Sequence, residues 1–297
     1  MLVWLDGEIV EAERARVSVF DRGFLFGEGV YESIRCFEAT PFAIAEHRSR
    51  LARSLRGIGG DPRVAERLGE ICGELLAANR LRDAMVYLQI TRGGVLGKRS
   101  HLHDPAASEP TVFGFAWTAP PIGACSGPAA VEGVLRPDER WGRCDLKSTN
   151  LLANALAAEE ARAARASEAI LHRGGRITEG ASSNVFVVID GTLSTPPLGG
   201  DHPILAGVMR GLAIGEWRRH GGEVVEIAPS VEQLRGAEEI FITSSSRLIS
   251  AAVALDGAPV GSGRPGPVAQ RTLDLLIAAV RERIDAAASH ALPESIP

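Results

Sequence analysis

Lysine is almost missing from this chain of 297 residues: only Lys98 and Lys147 occur, and the other 30 of its 32 basic residues are arginine. The arginines are spread rather than clustered, and the formal net charge is -5. That balance gives no electrostatic reason to expect nucleic acid or an anionic membrane as partner. Cysteine is scarce too. Cys36, Cys72, Cys125 and Cys144 show no CxxC or zinc-like spacing, so they read as reduced, mostly buried thiols of a cytoplasmic protein. No apolar run approaches the roughly 20 residues of a membrane span, and MLVWLDGEIV reaches Asp6 too early for a signal segment. Gly23, Gly27 and Gly29 do not spell GxGxxG, which removes a dinucleotide fingerprint.

What is present is a chain of ordinary globular composition, 45% hydrophobic and 23% charged, long enough for about two domains. Asp6-Gly7 between two short apolar runs predicts an opening hairpin. Leu51, Leu55 and Ile58 mark one helical face, and Asp61-Pro62 caps a second helix carrying Val64, Leu68, Ile71 and Leu75. Strands are expected at 85–91 and 111–118, with a long loop rich in Arg, Gly and His between them. The Pro- and Gly-rich stretch 119–128 reads as a linker between a small domain, 1–118, and a larger one, 129–297. In the latter, Ser148 or Thr149 is expected to cap an alanine-rich helix. Further strands are expected at 168–172, 183–190, 223–227 and 239–243, and helices at 207–220, after Pro229 and from about 267 to 287. Strands and helices mix without strict alternation, which indicates an α/β or α+β fold rather than a doubly wound sheet.

The rarity of lysine singles out Lys147 in CDLKSTN. A lysine amine can lose its proton and form a Schiff base, which an arginine cannot. Glu179, in HRGGRITEGASSNVF, offers a carboxylate that could keep a pyridine nitrogen protonated. Three stretches offer a phosphate anchor: Arg50 in EHRSRL, the helix start Gly207-Val208-Met209, and the strand end Thr243 to Ser246. Tyr31 is one of only two tyrosines, and Arg99 with His101 offers a guanidinium and an imidazole that could jointly hold a substrate carboxylate. Each also has a plain structural reading as surface lysine, turn carboxylate, helix surface or loop residue. The HxHD run from His101 to Asp104 holds metal-ligand residue types, but it is a common pattern and no metal is expected.

Taken in order, DRG-x-x-FG-x-GVYE, EH-x-x-RL, RCD-x-KS-x-NLL, EAILHR-x-x-x-x-TEG-x-SSNVF and F-x-TS resemble the fold-type IV pyridoxal-phosphate enzymes over nearly the whole chain, and most of all their D-amino-acid transaminase branch. The resemblance implies two domains, the second a mixed α/β, barrel-like one that binds the cofactor. It implies that Lys147 forms the internal aldimine and that Glu179 meets the pyridine nitrogen. Arg50, the Val208 and Met209 amides and Ser245 would bind the phosphate, and Leu205 would pack on the ring. Tyr31, Arg99 and His101 would hold the substrate carboxylate, with Lys98 or Arg92 as alternative cations. Met209 departs from the pattern, which often has a threonine there. The implied activity is amino transfer from a small D-amino acid, such as D-alanine or D-glutamate, to 2-oxoglutarate or pyruvate in a homodimer. Branched-chain L-amino-acid or (R)-amine transamination and aminodeoxychorismate-type lysis are the alternatives.

Overall fold

In a computed structural model of the chain, residues 1–291 are described; positions 292–297 of the expected second domain lie outside them. Contacts group the chain into two units, one of residues 1–122, 146–150 and the helix end from 283, the other of residues 123–145 and 151–282. The division at 122/123 falls inside the expected linker. The pentapeptide with Lys147, however, was expected in the second domain and groups with the first unit. Its backbone hydrogen bonds, described below, run to first-unit strands and helices.

The first unit is an antiparallel sheet under two helices. Its strands are β1 (Leu2–Leu5), β2 (Glu8–Glu11), β3 (Gly29–Phe37), β4 (Thr40–Pro41), β5 (Ala84–Thr91) and β6 (Val112–Thr118), in the order β2-β1-β6-β5-β3-β4. Helix α1 (Arg22–Phe26) is short, while α2 (Ile44–Gly57) and α3 (Leu68–Asn79) close the core. The buried residues of α3, Leu68, Ile71, Cys72, Leu75 and Leu76, follow the spacing of one helical face. They meet Val30, Ile34 and Cys36 of β3 and Val86, Leu88 and Ile90 of β5 in one cluster. Asp61 caps a 3-10 segment, Pro62–Arg67, and not α3 itself. The strand β3 escapes a simple reading because Glu32 and Arg35 interrupt its apolar alternation, although both are buried.

Chain alternation sets the opposite face of this sheet. Tyr31, Tyr87, Phe115 and Trp117 form a row with successive ring centroids 5.4, 5.2 and 5.4 Å apart.

The second unit holds β7 (Ala129–Pro137), β8 (Glu168–Arg173), β9 (Arg176–Gly180), β10 (Asn184–Ile189), β11 (Thr192–Ser194), β12 (Val224–Val225), β13 (Glu239–Ser244), β14 (Leu248–Leu255) and β15 (Ala258–Pro259). They form a curled half-barrel in the order β12-β11-β10-β13-β14-β7-β8-β9, with β15 beside β14. Around it lie α4 (Leu152–Ala163), α5 (Val208–Arg219) and α6 (Val231–Arg235), followed by α7 (Pro267–Ala291). Phe186 and Phe241 stack at 5.0 Å across β10 and β13. β14, LISAAVAL, is rich in alanine and gives little strand signal. The cap expected on α4 is not made by Ser148 or Thr149: Leu151 stands at the cap position with no side-chain hydrogen bond. Among the described residues no helix is long and apolar enough to cross a membrane.

Candidate active site

Lys147 sits on a segment stitched to the first unit. Its carbonyl accepts from the Tyr31 amide at 2.9 Å, and its own amide donates to Ser54 Oγ at 3.1 Å. Ser148 forms a bridge with Val30. The Thr149 amide donates to the Gly29 carbonyl at 2.9 Å, and its hydroxyl reaches the Gly27 carbonyl at 3.1 Å. The Thr149 hydroxyl is thereby committed to Gly27 rather than to a helix cap. Gly27 is left-handed, with φ of 68°, and a Cβ there would lie 2.4 Å from Asn150 Oδ1. The left-handed backbone together with this close approach favours glycine here. The Lys147 ammonium lies 4.2 Å from the Tyr31 ring centroid, a cation–π contact.

Arg50 is no bare fork. Its Nε and Nη2 bind the two Glu32 oxygens at 2.8 and 2.7 Å, and His47 Nδ1 meets Glu32 Oε2 at 2.7 Å. All three side chains are buried. Desolvation pushes the Glu32 carboxyl up, but the Arg50 and His47 charges outweigh it and hold the group far below the usual carboxylate range.

The loop with Arg99 and His101 is held by Arg22. Its Nη1 donates to the Ser100 carbonyl at 2.6 Å and its Nη2 to the His101 carbonyl at 3.0 Å, while Glu28 takes Nε and Nη2 at 2.7 and 2.6 Å. Arg99 lies 5.0 Å from the Phe26 ring and His101 5.3 Å from it. Tyr31 contacts Tyr87 and Lys147, so among the described residues the three expected carboxylate-binding residues make no direct contact with one another. Arg92 pairs with Glu28 at 3.3 Å.

The second unit carries Glu179, Leu205, Val208, Met209 and Ser245. Glu179 is buried on β9, and its Oε1 receives Arg140 Nη1 at 2.6 Å. Asn184 Nδ2 donates to Oε2 at 2.9 Å, and the Leu205 amide lies 3.3 and 3.2 Å from the two oxygens. Asn184 also donates to the Leu205 carbonyl at 3.0 Å, tying the expected ring-packing residue to the carboxylate. Burial pushes Glu179 up to about 7, with Arg140 opposing it.

Gly207 starts α5 with no side chain capping it, which leaves the α5 start, Val208 and Met209, suited to an anion. A Cβ at Gly207 would meet Asn184 Oδ1 at 1.9 Å. Thr243 Oγ1 is buried with no hydrogen-bond partner among the described residues. An open helix start, an orphan hydroxyl and a buried carboxylate fit a phosphate-bearing pyridine ring. Glu32, Arg22, Arg140 and Asn184 were assigned no role from sequence. Three of them stand inside the quoted motifs, while Arg140 lies just ahead of RCD-x-KS.

The fold and this donor set define a fold-type IV pyridoxal-phosphate enzyme. The structure is similar to the branched-chain amino acid aminotransferase of Escherichia coli, with TM-score 0.83, 29% identity and 94% of each chain covered. It is also similar to the branched-chain amino acid aminotransferase of the archaeon Thermoproteus uzoniensis with norvaline, with TM-score 0.81, 26% identity, and 95% of this chain and 96% of that one covered. D-alanine aminotransferase of Staphylococcus aureus (strain MSSA476) is 36% identical over 272 residues, 91% of this chain and 94% of the relative. That of Bacillus licheniformis is 36% identical over 270 residues, 90% and 93%. Amino-transferase class IV matches residues 29–255, and the chain belongs to that family. It is a pyridoxal-phosphate-dependent aminotransferase.

Proposed function

We propose that the protein moves the amino group of a small D-amino acid, D-alanine or D-glutamate, to 2-oxoglutarate or pyruvate, and that it works as a cytoplasmic homodimer. The observation that carries this reading is the 36% identity with D-alanine aminotransferases over 91% of the chain.

Bound pyridoxal phosphate supplies an electron-withdrawing ring and a carbonyl carbon able to exchange amines. Lys147 Nζ would hold that carbon, and the same amine would be the base placed to take the Cα proton of the donor. Tyr31, beneath the ammonium, limits where the amine can travel. Glu179 takes the ring nitrogen. Arg50, the Val208 and Met209 amides and Ser245 hold the phosphate, with Glu32 and His47 fixing the plane of the Arg50 fork. Leu205 packs on the ring, and its amide holds the Glu179 oxygens. Arg99 and His101, with Tyr31, meet the substrate carboxylate.

The test mixes the purified yellow protein separately with D-alanine, L-leucine and an (R)-amine. Loss of the visible band with D-alanine, with stoichiometric pyruvate, is expected. Bleaching by L-leucine or the amine alone overturns the substrate assignment.

A further inference from the structure

Among the described residues Glu179 has one charged donor, Arg140, and that partner is itself held in place. Arg140 presents three bonds to Asp138: Nε to Oδ1 at 2.9 Å, Nη2 to Oδ2 at 2.8 Å, and the Arg140 amide to Oδ1 at 3.1 Å. Asp138 is fixed in turn by the Thr178 hydroxyl at 2.8 Å and by Arg173 Nη2 at 3.2 Å. One edge of the planar guanidinium is thus committed to Asp138, which aims Nη1 at Glu179 Oε1, 2.6 Å away. The side chains of Arg140 and Asp138 are only 8% and 2% exposed.

A buried carboxyl group is more stable neutral unless a fixed charge opposes the desolvation. Desolvation is the largest influence on Glu179 and Arg140 the largest opposing one; Asp138 pushes the other way, and Cys144 nearby is itself pushed up to about 11 by burial. Asn184 and the Leu205 amide are uncharged donors. The state of Glu179 decides its chemistry: an ionised carboxylate stabilises a protonated pyridine nitrogen, whereas a neutral acid donates its proton in a hydrogen bond and leaves the ring uncharged.

We propose that Arg140, oriented by Asp138, is the positioning residue that keeps Glu179 ionised and so keeps the cofactor's ring nitrogen protonated. The proposal rests on the assignment of Glu179 to that nitrogen. Arg140 itself touches neither substrate nor cofactor in this role; it acts through the carboxylate.

The test is the 15N resonance of holoenzyme reconstituted with pyridoxal phosphate labelled at the ring nitrogen, followed from about pH 6 to 9, a span that brackets the Glu179 value. Wild type is expected to stay protonated throughout, because the ring cation of the bound cofactor adds a second positive charge to that of Arg140 and holds Glu179 below its cofactor-free value of about 7. R140M is expected to lose ring protonation within that span, with kcat lower by roughly 100-fold and KM for D-alanine within about threefold. If R140M does not fold, as read by far-ultraviolet circular dichroism, R140Q carries the same decision. D138N keeps the guanidinium charge but frees its plane, and a loss in kcat of about tenfold is expected. A wild-type ring resonance in R140M or R140Q overturns the proposal, and wild-type behaviour in D138N overturns the orienting role of Asp138. E179Q separates the two layers: if its ring nitrogen also remains protonated, the assignment of Glu179 fails, and the proposal with it.

Discussion

Tyr31 and Lys147 are joined twice, by a backbone hydrogen bond of 2.9 Å from the Tyr31 amide to the Lys147 carbonyl and by the ammonium 4.2 Å from the Tyr31 ring centroid. The strand therefore positions both the backbone and the amine of Lys147. Replacing Lys147 by arginine keeps the charge on the ring and removes the amine that can lose a proton. Borohydride reduction of wild type should leave the cofactor mass on the peptide containing Lys147, and K147R should show none and no transamination. Labelling of a different peptide in the wild type would refute the lysine assignment.

The Gly27 carbonyl accepts from Thr149 and Asn150 at 3.1 Å each. Gly27→Ala places a methyl group against Asn150 in a left-handed backbone, at a cost of about 1–3 kcal/mol. Thermal denaturation should show the loss, and cofactor affinity should fall with it where Asn150 gives up its bond to the Gly27 carbonyl and loosens the 146–150 segment. A variant with an unchanged melting point would show that the segment yields freely.

Glu32 depends on Arg50 for its charge balance. Arg50→Leu leaves a buried anion beside His47 alone and should destabilise the protein by about 3–5 kcal/mol in urea titration. The double variant with Glu32→Leu should recover part of that loss, since no uncompensated charge remains. Strict additivity of the two substitutions would contradict the ion triad.

Arg22 ties the Ser100 and His101 carbonyls to Glu28. Arg22→Ala should loosen the loop carrying Arg99 and His101. KM for D-alanine should rise about tenfold, or about 1.4 kcal/mol, with kcat and the cofactor spectrum little changed. An equal fall in kcat would instead place the loop in the chemical step.

Desolvation pushes Asp138 up, but hydrogen bonds and charge from Arg140 prevail and hold it down to about 2, against an ordinary value of 3.8. A depressed carboxyl stabilises the folded state above the unfolded value and loses that contribution as pH falls through the folded one. Stability should therefore drop by about 2 kcal/mol between pH 3.8 and 2, and D138N should remove that part of the slope. Glu179 has the opposite sign: raised from 4.5 to about 7, it makes the cofactor-free chain less stable as pH rises across that interval. Urea titrations of the apoprotein at several pH values separate the two.

Much of the fold was legible where one period dominates. The buried face of α3, the hairpin at Asp6-Gly7 and the apolar run of β10 are local patterns, and burial along them follows side-chain direction. β3 and β14 were not, since Glu32 and Arg35 break one pattern and alanines blur the other. The candidate residues were legible as types in order, Lys147, Glu179 and Arg50 among them, because their chemistry is scarce in the chain or fixed by motif.

The sequence by itself determined the family-bearing motifs, the helical and strand faces they ride on, and Lys147 as a candidate amine in a chain whose one other lysine is Lys98. Tertiary structure decided their partners. Glu32 meets Arg50 across 18 positions, Arg140 meets Glu179 across 39, and Thr149 meets Gly27 across 122. Such pairs leave no periodic trace: a buried charge is tolerated only where folding supplies its counter-charge, and that neighbour is set by strand register and helix placement rather than by adjacent residues.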